Sequence, residues 1–162
     1  MPALMRRAAL LIGVLLIVMV PALLSRPARS VQVHTDTGVL VWCTAVGTDD
    51  IMQLQFTHSM FGGYVREQWR ITPNRQFERV RFVTENAAAA EYYATDGSSY
   101  RADDGYVVPG EPLMRTSLVV RVNTRGDHVV SVGNTTARLA DLLPQSTQVH
   151  ISVAPTDCGS ST

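Results

Sequence analysis

The sequence predicts an all-β fold, an antiparallel β-sandwich or barrel-like sheet with one short helix near the C-terminus, carried behind an N-terminal transmembrane helix. Three observations lead there. Past residue 30 the apolar residues recur with period two in short runs, the spacing that turns alternate side chains of a strand to one face. Turn-forming groups break these runs: Asp36-Thr37-Gly38, Gly62-Gly63, Pro73-Asn74, Asp96-Gly97, Asp104-Gly105 and Arg125-Gly126-Asp127, each rich in the residues that tolerate tight backbone reversals. The one long unbroken apolar segment comes before all of them, at residues 8–24.

That segment, AALLIGVLLIVMVPALL, is uncharged and follows Arg6 and Arg7. A helix crosses the hydrocarbon core with roughly 17–25 such residues. The arginine pair favours a cytoplasmic N-terminus and an exported C-terminal part, which Arg26 and Arg29 on the other side offset only in part. A cleaved signal peptide has the same layout, but it ends in small residues around the cut, and Ser25-Arg26-Pro27-Ala28-Arg29-Ser30 supplies no clean site of that kind. Residues 1–30 are therefore read as a single-pass membrane anchor and linker, with cleavage and secretion as the alternative.

Residues 31–155 form the exported β domain and 156–162 a polar tail, enough chain for one modest core. Strands are expected near 31–35, 38–46, 51–58, 64–72, 77–84, 88–94, 105–108, 115–123, 127–133 and 147–154, several short strands at close spacing. The helix is expected over 136–143, stopped by Pro144 and too short to stand without packing. The alanines at 87–90 read as a strand corner, either a tight buried crossing or one making room for Trp69, Tyr92 or Tyr93. Basic and acidic residues balance at 14 each, with the arginines spread along the strands, so no field favours nucleic acid.

Cys43 and Cys158 make an even count, compatible with a disulfide on the exported side of a membrane. Two readings stand: a bond pinning the C-terminus, if first and last strands are neighbours, or a buried Cys43 with a free Cys158. Cα separation decides between them.

The strongest functional lead is the hairpin around Phe56-Thr57-His58-Ser59. Met52, Leu54, Phe56 and His58 alternate with polar neighbours, as do Val65, Glu67, Trp69 and Ile71 beyond the Gly62-Gly63 turn. One face then carries apolar residues plus a histidine and a glutamate, and an ionisable pair there costs free energy unless it is hydrogen-bonded or part of a site. Pairing Ser59 with Tyr64 sets His58 opposite Val65 and Phe56 opposite Glu67, leaving His58 and Glu67 diagonal at roughly 7–8 Å between Cα atoms. They are read as a structural polar lock, as a pair binding a small polar ligand or a metal, or, ranked last, as an acid–base pair with Glu67 orienting His58, with Ser59, Phe56 and Trp69 in support.

Other chemistry is weaker. Ser59 adjoins His58, so in a strand the two point to opposite faces, and no G-x-S-x-G elbow is present. A serine hydrolase is disfavoured, and no catalytic residue is assigned. His34, His128 and His150 lack ligand spacing to His58, and Asp96, Asp103 and Asp104 fit turns rather than a calcium loop. No metal or cofactor is expected.

Phe-Thr-His-Ser-Met at 56–60, followed by Val65, Glu67 and an aromatic at Trp69, resembles the signature of the domain-of-unknown-function 1850 family. These are small exported bacterial proteins often encoded beside the membrane subunits of TRAP transporters of the TAXI type. The resemblance runs from Gly38 to about Val153 and includes Leu139-Ala140-Asp141-Leu142-Leu143 before a final Val149-His150-Ile151 strand. It departs at 86–93, where many family members carry a small-residue, glycine-containing turn and this chain has Asn86 and four alanines. The resemblance implies an accessory or interaction module beside a solute transporter, with a transporter subunit or solute-binding protein as partner, and implies no catalytic activity. A small-ligand or ion-binding domain built on His58 and Glu67 is the alternative.

Overall fold

The computed structural model describes residues 29–94, 98–111, 113–144, 146–155 and 158–159. The apolar segment 8–24 and the Asp96-Gly97 turn lie outside the described residues. No helix among the described residues is long and apolar enough to cross a membrane.

Period-two alternation produces most of the strands. In β1 (Ser30–Thr35), Val31 and Val33 are sealed while Gln32 and His34 are not. The same rhythm runs through β3 (Ile51–Thr57), β4 (Tyr64–Ile71), β9 (Ser117–Val122) and β12 (Thr147–Ala154). The others are β2 (Leu40–Ala45), β5 (Phe77–Thr84), β6 (Tyr100–Ala102), β7 (Gly105–Pro109), β8 (Met114–Arg115), β10 (Val129–Val132) and β11 (Thr135–Arg138). They form two antiparallel sheets. The smaller runs β2-β1-β12-β9, and the larger runs β11-β10-β3-β4-β5-β7-β6 with β8 against β5.

The two sheets differ in size, and their cover differs accordingly. The main core lies between them: Val31, Val33, Val120, Val149 and Ile151 of the small sheet meet Met52, Leu54, Trp69, Ile71, Phe77 and Val130 of the large one. A second, smaller core of Val65, Phe82 and Val108 is covered by a helix through Ala90.

That helix, α1 (Ala87–Tyr93), stands where the sequence reading placed a strand near 88–94. The reason is local. Asn86 Oδ1 accepts the Ala88 and Ala89 N–H groups at 2.9 and 3.3 Å, satisfying two donors that a helix start otherwise leaves bare. Alanine then has the best helix propensity of any residue. Asn86 Nδ2 also donates to Phe61 O at 2.9 Å, tying the helix to the β3–β4 loop. The C-terminal helix differs too. Residues 135–138 pair with β10 as β11 through a Gly133-Asn134 turn, and only α2 (Leu139–Leu142) is helical. Among the described residues the domain thus has two short helices rather than one.

Cys43 of β2 and Cys158 form a disulfide, with Cα atoms 5.5 Å apart and a sequence separation of 115. The sheet order explains it: β1 lies between β2 and the final strand β12, so the last strand returns beside the first.

Candidate functional site

The β3–β4 register fixes the candidate pair. Leu54 stands opposite Glu67, Phe56 opposite Val65, and Thr57 opposite Tyr64 as the last pair. This corrects the expected register by two residues. A slip of two keeps every strand side chain on its face, so Glu67 still turns inward, but its partner changes from Phe56 to Leu54, two residues further from His58 along β3. The cause is His58. The strand ends before it, and residues 58–63 close a loop on its backbone and ring. Its N–H donates to Gly63 O, its carbonyl accepts from Gly62 N–H, both at 3.0 Å, and Nδ1 accepts from the Met60 and Phe61 N–H groups at 3.1 and 3.2 Å. Gly62 and Gly63 sit at φ +66 and +70, a region that side-chain-bearing residues rarely enter.

His58 and Glu67 therefore have separate partners, and no hydrogen bond joins them among the described residues. Glu67 Oε2 accepts from Trp69 Nε1 at 3.1 Å. Burial pushes its carboxyl pKa up against the opposing pull of that hydrogen bond and of Arg79. The His58 ring packs on Phe61 at 4.9 Å and meets Tyr92 and Tyr93 edge-on at 6.2 and 5.8 Å. Because Nδ1 accepts two N–H groups it carries no proton, so the neutral ring is the Nε2–H tautomer. Ser59 lies in the loop, exposed, beyond the alternation that was expected to turn it away. No hydrogen bond links it to His58 among the described residues.

What brings these residues into one site is the seam between the two cores. Phe56 packs against both. Beside it opens a cleft of about 650 Å³ lined by His58, Tyr93, Arg121, Asn123, Arg125 and His128, among others. Phe56, Arg121 and His128 also border an adjoining hollow of about 280 Å³ that reaches Leu54, Glu67, Leu118 and Val120. The hollow lies along β9, the terminal strand of the small sheet.

His128 was set aside on sequence grounds because it lacks ligand spacing. In the fold its ring stacks on Phe56 at 5.8 Å and 22°. Its Nδ1 is buried without a hydrogen-bond partner, the one such side-chain atom among the described residues. Burial lowers its pKa despite the neighbouring Asp127, favouring the neutral ring. Gly126 makes the placement possible: a Cβ there would stand 2.3 Å from His128 Cε1 and 2.8 Å from Nδ1. The loop is held by Gly126 N–H on Asn123 Oδ1 and Thr57 N–H on Gly126 O, both 2.7 Å.

Tyr93, Arg121 and His128 are the site residues that sequence reasoning missed. Burial, then the Glu67 and Tyr92 charges, raises the Tyr93 pKa, keeping its hydroxyl protonated. The sequence held one signal for His128, its position just after Gly126 and before the apolar run of β10. Phe56 packs against both cores, Trp69 donates to Glu67, and Ser59 is among the residues that line the cleft. Among the described residues no group of three or more His, Cys, Asp or Glu gathers as a metal site. Compared with family models, curated proteins and solved structures, the chain matches none.

Proposed function

We propose that this chain is a membrane-anchored, extracytoplasmic accessory domain that captures a small solute in the seam cleft and works beside a solute transporter. The observation that carries the reading is the convergence of His58, Tyr93, Arg121 and His128 on one cleft against apolar Phe56. Small-molecule sites join an apolar hollow to a few placed polar groups, and here the cleft supplies the polar groups while the adjoining hollow of Leu54, Leu118 and Val120 supplies the apolar part. Two features support the location: the arginine-led apolar segment at 8–24 and the Cys43–Cys158 bond, which suits an oxidising compartment. The transporter association follows from the resemblance at 56–69.

The test uses the full chain in lipid nanodiscs, equilibrated with the small-molecule pool of a bacterial extract, washed, and read by mass spectrometry. A solute retained by the wild type and lost by Ser59→Trp, which fills the cleft's edge from an exposed position, supports the reading. Retention of no solute overturns it.

A second reading, docking of a transporter subunit on the hairpin itself, draws on the exposure of Met60 and Tyr92, 71% and 65% accessible. A photocrosslinker at Met60 in native membranes should capture such a subunit, and recovery of none counts against that reading.

A further inference from the structure

We propose that the cleft takes a small monocarboxylate with an apolar body, its carboxylate held by Arg121 and the Nε2–H of His58 and its body laid against Phe56 and the hollow behind. This rests on the solute-capture reading above and narrows it to a ligand class.

Donors dominate the cleft. None of its lining residues is acidic, while two are arginines. Each guanidinium offers five N–H donors and no acceptor. Neither the Arg121 nor the Arg125 guanidinium has an ion pair or hydrogen-bond partner among the described residues. His58 adds another donor, because its accepting nitrogen is spent on the Met60 and Phe61 amides. That use also argues against a metal, which would need an imidazole lone pair. A planar fork of N–H groups on a flexible arm matches a carboxylate in shape as well as charge.

The hollow sets the rest of the molecule. Leu54, Leu118 and Val120 line it and are 5–8% exposed, so an apolar group there leaves water for hydrocarbon. Inorganic phosphate has no such group. At the far side stands Glu67, already bonded to Trp69. A second carboxylate reaching through the hollow would meet a like group in a poorly solvated place. One charge at the cleft and an apolar body is the arrangement all these surroundings share.

The experiment is calorimetric titration of the full chain in nanodiscs at physiological salt. The probes are butyrate, 4-methylpentanoate and 3-phenylpropanoate, each with its amide, together with 3-phenylpropylamine, phenylsuccinate and inorganic phosphate. At least one monocarboxylate should saturate and bind about tenfold or more tighter than its amide, the scale of a charge-assisted hydrogen bond. Arg121→Gln should bring that ratio close to one, while Arg115→Gln, on β8, leaves it unchanged. Equal binding of acid and amide, preference for the amine, phenylsuccinate or phosphate, no binding of any monocarboxylate, or a silent Arg121→Gln overturns the proposal. The extract experiment separates the two levels. A retained solute that is neutral or cationic sinks the ligand class and leaves the cleft reading standing, whereas retention of nothing removes both.

Discussion

Reduction of the Cys43–Cys158 bond is the perturbation whose size follows most directly from the fold. The bond closes a loop of 115 residues, nearly the whole β domain. In the chain-entropy model its loss frees the unfolded chain by about 2.1 + 1.5R ln n cal/mol/K, which for this n is about 16 cal/mol/K, or about 5 kcal/mol at 25 °C. At a urea slope of about 2 kcal/mol/M, typical of a small domain, the unfolding midpoint should drop by about 2.5 M. The slope itself should rise, because the reduced unfolded chain exposes more surface. The assay is urea unfolding of the full chain followed by Trp fluorescence, with and without reductant. The Cys43→Ser/Cys158→Ser double variant should match the reduced protein and ignore reductant. A midpoint difference below about 0.5 M, under about 1 kcal/mol at that slope, would refute the claim that this bond constrains the unfolded chain.

His58→Ala removes the acceptor of two backbone N–H groups and the ring between Phe61 and the tyrosines. A loss of about 2–3 kcal/mol is expected, with faster hydrogen exchange at the Met60 and Phe61 amides; unchanged exchange there would show that the ring does not hold the loop. Gly126→Ala drives a methyl group into the His128 ring, which Phe56 backs, and should cost about 1–3 kcal/mol; a variant as stable as the wild type would contradict the packing. Glu67 gives a pH signature. Its folded-state pKa is raised above the ordinary 4.5, so the folded protein binds that proton more tightly than the unfolded chain. Stability from this group is full below the ordinary value and lost as pH rises through the folded one. Glu67→Gln keeps an oxygen for Trp69 and removes the titration, so its advantage over the wild type in urea midpoint should grow with pH from 4 upward. Parallel curves would show that the carboxyl titrates as if unfolded.

The strands were legible where their cause is local. Met52, Leu54, Val65, Trp69 and Ile71 are buried as their alternation requires, and a turn such as Asp36-Thr37-Gly38 shapes the backbone through its own residues. The misreadings came where a side chain serves the backbone. Asn86 turns an alanine run into a helix by accepting two N–H groups. His58 ends β3 early by turning its ring to the loop, and that alone moves the register by two. Both residues carry side-chain acceptors at an element boundary, a signal present in the sequence but outweighed by periodicity. The cleft was less legible still. Tyr93, Arg121 and His128 reach it from α1, β9 and the β9–β10 loop, and nothing in the period of any one of them announces the other two. The disulfide lay between these cases: the cysteine count permitted it, and the adjacency of β1 with both β2 and β12 decided it.

The choice between a polar lock and a binding site changes once each group has its own partner. His58 is a lock, but through Nδ1 only, and locking the loop fixes Nε2–H as a donor. The hydrogen bonds that hold the loop thus use Nδ1 alone and leave Nε2–H unspent. The seam itself follows from architecture. A four-stranded sheet set on a longer one leaves part of the larger inner face to another cover, here α1. The junction of two covers is the natural place for a gap. Stability alone would fill that gap with leucine or valine. The chain instead places around it a glutamate raised by burial and a histidine with a buried, unpartnered nitrogen. Each is a cost where no packing demand requires one, since an unsatisfied buried polar atom alone costs about 1–3 kcal/mol. Two such costs beside one cleft, next to two arginines without partners among the described residues, are what a site shaped for a ligand would carry.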